Sequence, residues 1–344
     1  MRVAFVSHHA PRPHGSASGR MLHALVEAMR LDGHDATVQC WGEEPPDLPP
    51  WADWVPLAGE SRLRTKARGL WRPRSDSVRL PVRLPDDGVV VADDTISFGA
   101  VRRAPWLVAN VHNSLALDHA ALGARGLADL QDVRAERRVA HQAPALWVSS
   151  DRVRDRLGGV VVPYTLPVPP EPLPFVDAPV VGMLADWRWP PNAVALRELL
   201  RAWPAIRSVV PGARLELAGR GDPGVADQDG VSVLGEVPTS ADLLARVAVL
   251  AFPCPATSGA KMKSFDAVAH GVCLVTTEAG AEGMPAGAGV VTPPAGEAFE
   301  EAVVRLLRDP RERAEQAERG RALLLEHHAP SVAARARLVL LAQG

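Results

Sequence analysis

Residues 258–277 read SGAKMKSFDAVAHGVCLVTT. Two lysines, Lys261 and Lys263, open what the spacing predicts as a helix of about two and a half turns, with Asp266 one turn further in. The apolar run VAVLAFP (247–253) precedes this stretch as a strand, and the stretch itself ends past Gly271 in a second strand. Ser258 to Lys261 thus lie at the carboxyl end of a strand and the start of a helix. Free N–H groups and the helix dipole favour an anion there. Two lysines at that end oppose the dipole unless an anion compensates them, and a diphosphate does. Asp266 is spaced to accept hydrogen bonds from a vicinal diol such as a ribose. The competing reading is a Lys263–Asp266 surface pair at i, i+3, worth a few tenths of a kcal/mol. Lys263 points about 200° from Lys261 around the helix, so only one faces the anion. Lys261, nearest the free N–H groups, is the expected one.

Other residues carry weaker signals. ADDT (92–95) places two acids in tandem, either as metal ligands or as a strand end whose Asp caps the next helix. His8, His9 and His14 cluster after the first strand, as a metal site or as part of a cleft floor. Glu278 and Glu282 follow a strand and either touch a sugar or sit in a solvated loop. Cys40, Cys254 and Cys273 are too few and too scattered for a disulfide framework or a zinc site, and read as buried thiols.

These residues need elements to hold them. RVAFVS (2–7) is a short apolar run, and Met21, Leu22, Leu25, Val26 and Met29 follow at helical spacing until Gly33. Strands follow at 35–40, 88–92, 106–111 and 145–150, with a polar helix over 125–143 and a Pro/Trp/Arg-rich interruption over 41–87. Seven prolines in 162–179 exclude a regular helix or central strand, so this segment is a linker. Alternation then restarts with strands at 180–185, 213–219, 231–235, 247–253 and 288–293. Helices are expected over 190–203, 240–247, 296–308, 310–327 and from Pro330 to the end. Strands alternating with helices imply parallel βαβ units in open, doubly wound sheets, which bind ligands at the strands' carboxyl ends.

The chain has 344 residues, enough for two domains. A net charge of −2 gives no global reason to expect nucleic acid. The N-terminal apolar run is too short for a signal peptide and no run reaches a membrane span, so the expected location is cytoplasmic. The segment 61–83 carries eight basic residues and one acidic one, suited to an anionic acceptor or lipid surface, or to solvent alone. Trp51, Trp54 and Trp71 lie near it, as acceptor-stacking residues or packing groups.

VPGARLELAGRGDPG, VSVLGEV and GAKMKSFDAVAHGVCLVTTEAGAEGM, in that order and spacing, resemble the C-terminal domain of family 4 retaining glycosyltransferases of the GT-B fold. PHGSASGR, the GH before the second strand and ANVHN carry a weaker likeness in the first half. The resemblance implies an α/β chain of two doubly wound Rossmann-like domains facing a cleft. An acceptor domain spans 1–165, a linker 166–178 and a nucleotide-sugar domain 179–329, with helix 330–344 packing back on the first domain. It implies that Asp266 grips the ribose and that Lys261 faces the diphosphate. Gly235, Glu236 and Val237 receive the base, His112 faces the donor sugar, and Gly15 and Ser16 close over the phosphates. Ser258, Gly259, Lys263 and Glu278 complete the donor site by position. Ser258 stands where many members carry the first Glu of a Glu-x7-Glu pair, and Arg188 substitutes for the usual Gly-Arg start.

The implied activity is transfer of a sugar, with retention, from a nucleotide-diphosphate donor (UDP-sugar first, then dTDP- and GDP-sugars) to a hydroxyl acceptor. The donor is a co-substrate, and neither cofactor nor metal is expected, because cations and a helix N-terminus stabilise the leaving diphosphate. The acceptor is a small molecule, glycan or lipid, as in carbohydrate or natural-product biosynthesis. Two alternatives share the architecture: a GT-B sugar-nucleotide epimerase, which needs no acceptor, and a non-catalytic nucleotide-binding homologue. A dinucleotide oxidoreductase is disfavoured, because PHGSASG does not give G-x-G-x-x-G.

Overall fold

The computed structural model describes residues 1–56, 80–101, 103–123, 126–225 and 228–343. The chain divides into two compact units, Met1–Pro167 with Pro330–Gly344, and Val168–Ala329.

Unit 1 begins with β1 (Arg2–Ser7) and α1 (Ala17–Leu31). Val3 to Val6 are all buried, as a strand covered on both faces requires. Ser16 caps α1 by accepting the Gly19 N–H at 3.2 Å, and Gly33 (φ 83°) ends it in the left-handed region. At Gly19 a Cβ would run into the Ala10 carbonyl oxygen, so the β1–α1 loop needs glycine there. There follow β2 (Asp35–Cys40), β3 (Ala52–Trp54), β4 (Val89–Asp93), α2 (Thr95–Val101), β5 (Leu107–Val111), α3 (Leu115–Leu122), α4 (Leu127–Gln142), β6 (Ala145–Val148), α5 (Asp151–Leu157) and β7 (Val160–Val161). The strands run parallel in the order β3-β2-β1-β4-β5-β6-β7. The C-terminal helix (Pro330–Gln343) packs Ala334 and Leu338 into the same core as Phe5, Leu22 and Leu25.

Unit 2 contains β8 (Val180–Asp186), α6 (Pro190–Val209), β9 (Arg214–Arg220), β10 (Val231–Gly235), α7 (Ser240–Leu244), β11 (Val249–Phe252), α8 (Met262–Ala269), β12 (Cys273–Thr276), α9 (Glu297–Arg308) and α10 (Pro310–His328). Its parallel sheet has the order β10-β9-β8-β11-β12. Trp203, Leu199, Leu217, Val249 and Phe299 form the middle of its core.

In each unit the strand order reverses once, between β1 and β4 and between β8 and β11. Sheets of this kind bind ligands at such points, outside the strands' carboxyl ends.

The secondary structure differs from expectation at two points. The polar helix expected over 125–143 is α4, while α3 before it, ended by Gly123 (φ 66°), was not expected. The strand expected at 288–293 is a single bridge, Val291 to Val275, because Gly287 and Gly289 turn through positive φ and two prolines follow. Helix α2 follows ADDT, as the reading of a strand end before a capped helix expects.

Candidate active site

In unit 2, β8 ends at Asp186 and the chain turns through Arg188 and Trp189 into α6, whose first residues are Pro190 and Pro191. Proline fits the first helical turn because its missing N–H would be unpaired there. Asn192 is buried behind them. Its Nδ2 donates to the Asp186 carbonyl at 2.7 Å, which turns Oδ1 the other way, and Lys263 Nζ donates to that oxygen at 2.6 Å. The Lys263 ammonium also stands 3.9 Å from the centre of the Phe252 ring, at the end of β11. Lys263 therefore sits at the unit's topological switch point. Burial, aided by the like charge of Lys261, lowers its pKa to about 7. Among the described residues no carboxylate forms an ion pair with it.

Lys261 behaves differently. It stands at the N-cap of α8, and its Nζ donates to the carbonyls of Ser258 (2.7 Å) and Gly259 (2.6 Å). Lys263 thus reaches across to the start of α6, and Lys261 closes the loop before the helix. Asp266 is 2% exposed, so the surface pair with Lys263 does not form. Ser258 is buried, and the Gly259 N–H donates to Glu282 Oε1 at 2.9 Å. Glu278 is exposed at the start of a short turn (Glu278–Gly280).

Arg188 is paired with Asp186, Nε to Oδ1 at 2.9 Å and Nη2 to Oδ2 at 2.5 Å. Those hydrogen bonds hold the Asp186 carboxyl below the usual range. Glu236 pairs with Arg220 at 3.1 Å, next to Gly235 (φ 77°) at the end of β10 and half-buried Val237.

In unit 1 the switch point carries Asp93, the last residue of β4, which is fully buried. It accepts from Ser7 Oγ at 3.0 Å and Asn110 Nδ2 at 2.8 Å, and its Oδ1 lies 2.8 Å from His112 Nε2. Burial alone would raise its pKa, but the charge and hydrogen bond of His112, with the other two donors, outweigh that and lower it. Asp94 caps α2 through the Ser97 N–H (2.5 Å) and accepts the His8 N–H at 3.3 Å. Its φ of 125° is rare for a residue with a side chain, and burial lifts its pKa to about 7. The tandem acids therefore tie together the ends of β1, β4 and β5. Burial lowers His9 to about 4, and His8 stacks on Trp41. Among the described residues no group of three His, Cys, Asp or Glu side chains is arranged to hold a metal.

Gly15 (φ 106°) and Ser16 lie at the start of α1, where the Ser16 hydroxyl is engaged as a cap. Trp51 packs on His23 and, with Trp54, against the unit 1 core. Trp71 and most of the basic segment 61–83 lie outside the described residues.

Two sheets of this topology have known counterparts. The fold is GT-B. S. aureus TarM superposes with a TM-score of 0.76 at 8% identity over 99% of both chains. A TarM variant has been solved with fondaparinux, alpha-GlcNAc-glycerol and UDP. Anabaena HepE, solved with UDP and glucose, gives 0.68 at 14% identity over the whole of both chains. WaaG, a glycosyltransferase involved in lipopolysaccharide biosynthesis, gives 0.65 at 15% identity over 99% of this chain and all of its own. Residues 178–309, within unit 2, match the model of glycosyl transferases group 1. No curated protein sequence matches the chain significantly. The group 1 match covers the lysine loop and α8.

Proposed function

We propose that this protein is a retaining, family 4-like glycosyltransferase that moves a sugar from a nucleotide diphosphate, a UDP-sugar first of all, to a hydroxyl acceptor. The observation that carries the reading is Lys263. A lysine held at the switch point by a neutral amide and an aromatic ring, with no carboxylate paired to it among the described residues, is a site built for an anion that arrives from outside. The match of residues 178–309 to glycosyl transferases group 1 supports a nucleotide sugar as that anion.

Bond cleavage at the anomeric carbon leaves negative charge on the diphosphate. In this reading Lys263, with Lys261 two residues before it and Arg188 on the turn before Asn192, stabilises that charge without calling on a metal. Asp266 takes the ribose, and Gly235 to Val237 take the base. His112, held by Asp93, is the residue that the resemblance assigns to the donor sugar. The leaving phosphate accepts the acceptor's proton on the same face, which retains the anomeric configuration. Use of a nucleotide sugar suits a cytoplasmic enzyme of carbohydrate or natural-product biosynthesis. Among the described residues no helix is long and apolar enough to cross a membrane.

A thermal-shift panel of UDP, GDP, dTDP and NAD, followed by mass detection of products from the matching nucleotide sugar, tests the proposal. Stabilisation by a nucleoside diphosphate and a glycosylated acceptor support it. An isomerised donor with no acceptor needed would make the protein an epimerase. Stabilisation by NAD alone would overturn the reading.

A further inference from the structure

Three imidazoles and two carboxylates meet at the ends of β1, β4 and β5, and most of them are committed to one another. Asp93 holds His112, and Asp94 caps α2 and accepts the His8 N–H. The His8 ring packs on Trp41 with 4.3 Å between ring centres, and a Cβ at Gly42 would stand 2.9 Å from it. His9 differs. Its backbone N–H donates to Ser7 Oγ at 3.1 Å, and that hydroxyl donates in turn to Asp93, so the His9 main chain is tied to the carboxylate that holds His112. The half-buried ring lies 5.3 Å from that of His8 and close enough to Asp93 and His112 to feel their charges. Among the described residues the ring itself makes no hydrogen bond.

Burial lowers the His9 pKa to about 4 against the pull of Asp93, so at neutral pH the ring is uncharged, with one N–H and one lone pair. Such a ring is a poor base and a good hydrogen-bonding group. The nearby Asp93 carboxylate repels an anion, so the ligand that suits this point brings an uncharged hydroxyl. Of the two substrates proposed above, the donor brings a diphosphate, and the cations assigned to it belong to unit 2. The acceptor brings a hydroxyl. With His112 assigned to the sugar in transfer, the attacking hydroxyl has to arrive beside it. We infer that His9 positions the acceptor: its ring N–H donates to the oxygen of the attacking hydroxyl. The assignment rests on the function proposed above. That oxygen forms the new bond to the anomeric carbon as the bond to the phosphate breaks, and the hydroxyl proton passes to the phosphate. His9 holds the hydroxyl and takes no proton.

His9→Phe keeps a ring and removes its donor, and His9→Gln supplies a donor again; His9→Ala replaces His9→Phe should the latter not fold. Initial rates are measured with UDP-glucose, UDP-GlcNAc, dTDP-glucose and GDP-mannose as donors and with glycerol, methyl α-glucoside and octyl β-glucoside as acceptors. For the best pair, His9→Phe is expected to lower kcat/KM for the acceptor by about tenfold, the scale of one hydrogen bond left unmade. The donor KM, and the affinity for the nucleoside diphosphate by calorimetry, should change by less than about twofold. His9→Gln should recover most of the loss. An equal loss in the donor KM would place His9 on the donor, and a His9→Gln as poor as His9→Phe would make the ring a packing group. Either result, or unchanged transfer by His9→Phe, would overturn the inference alone. Wild-type protein that transfers sugar to none of these acceptors would overturn it together with the proposed function.

Discussion

Lys263 Nζ donates to Asn192 Oδ1 across 2.6 Å, joining the helix that follows β11 to the helix that follows β8. These two strands are neighbours at the point where the sheet reverses its order. The contact accounts for a lysine there with no carboxylate paired to it among the described residues: the amide accepts one N–H, and the Phe252 ring faces the ammonium.

Lys263→Met is therefore expected to lower kcat by about a hundredfold, the usual scale for losing one preorganised charge donor. Lys261→Ala should be several times milder, because its ammonium is engaged by two loop carbonyls. Thermal melts should show Lys263→Met no less stable than the parent, since a costly buried charge has gone. Steady-state kinetics with Lys261→Ala worse than Lys263→Met would return the phosphate to Lys261.

Asp93 is expected to matter for both folding and turnover. As an acceptor of three hydrogen bonds it cannot be matched by Asn, whose amide NH2 faces donors. Asp93→Asn should cost roughly 2–4 kcal/mol in urea denaturation. It should also lower kcat about tenfold to a hundredfold, because His112 loses its orienting partner. The pH dependence follows from the depressed native pKa. Its contribution is present above the ordinary aspartate value of about 4 and is lost as pH falls through the lower native one. Parallel stability curves for variant and parent below pH 4 would contradict this.

The strands at 2–7, 35–40 and 231–235 were legible residue for residue, because short apolar runs bounded by turn residues have one reading. The tandem acids were ambiguous, since only the pairing of β1, β4 and β5 shows that Asp93 faces His112 and Asp94 caps α2. The partners of the two lysines were hidden for a similar reason. Helical spacing correctly set Lys261 and Lys263 on different faces, but Asn192 lies 71 residues away from Lys263 in sequence. A buried Asn directly after Trp-Pro-Pro was the available signal, and it becomes informative only once β8 and β11 are neighbours.

Arginines hold the proline-rich segment, and their loss should be felt as instability. Arg321 donates through Nη2 to the carbonyls of Pro169 (2.7 Å) and Pro170 (2.8 Å), and through Nη1 to that of Ala269. Arg313 likewise reaches Leu306, Leu307, Val176 and Asp177. Prolines leave carbonyls without ladder partners, so a buried guanidinium satisfies several at once. Arg321→Ala should destabilise the protein by roughly 2–4 kcal/mol, through lost charged hydrogen bonds and orphaned carbonyls. A calorimetric midpoint lowered by less than about 2 °C would show that water replaces the arginine.

Asp94 should leave its mark on the pH dependence of stability. Its pKa is lifted to about 7, chiefly by burial. Between the ordinary aspartate value of about 4 and pH 7 the native state binds a proton that the unfolded chain has released. Stability from this group therefore falls as pH rises through that window. Lys263, lowered to about 7, acts in the opposite sense: the unfolded chain binds the extra proton from pH 7 to about 10, and stability rises across that range. Together the two place a shallow minimum near neutrality, which a bound diphosphate would fill in by pairing with Lys263. Asp94→Asn removes the acid limb while preserving what else the residue does, because Asn caps helices as well as Asp and tolerates positive φ. The variant should gain roughly 1–2 kcal/mol on the parent between pH 4 and pH 7, a part-exposed carboxyl giving less than its full shift implies. Urea midpoints measured at intervals across that range decide it: curves that stay parallel mean Asp94 titrates as an ordinary surface acid.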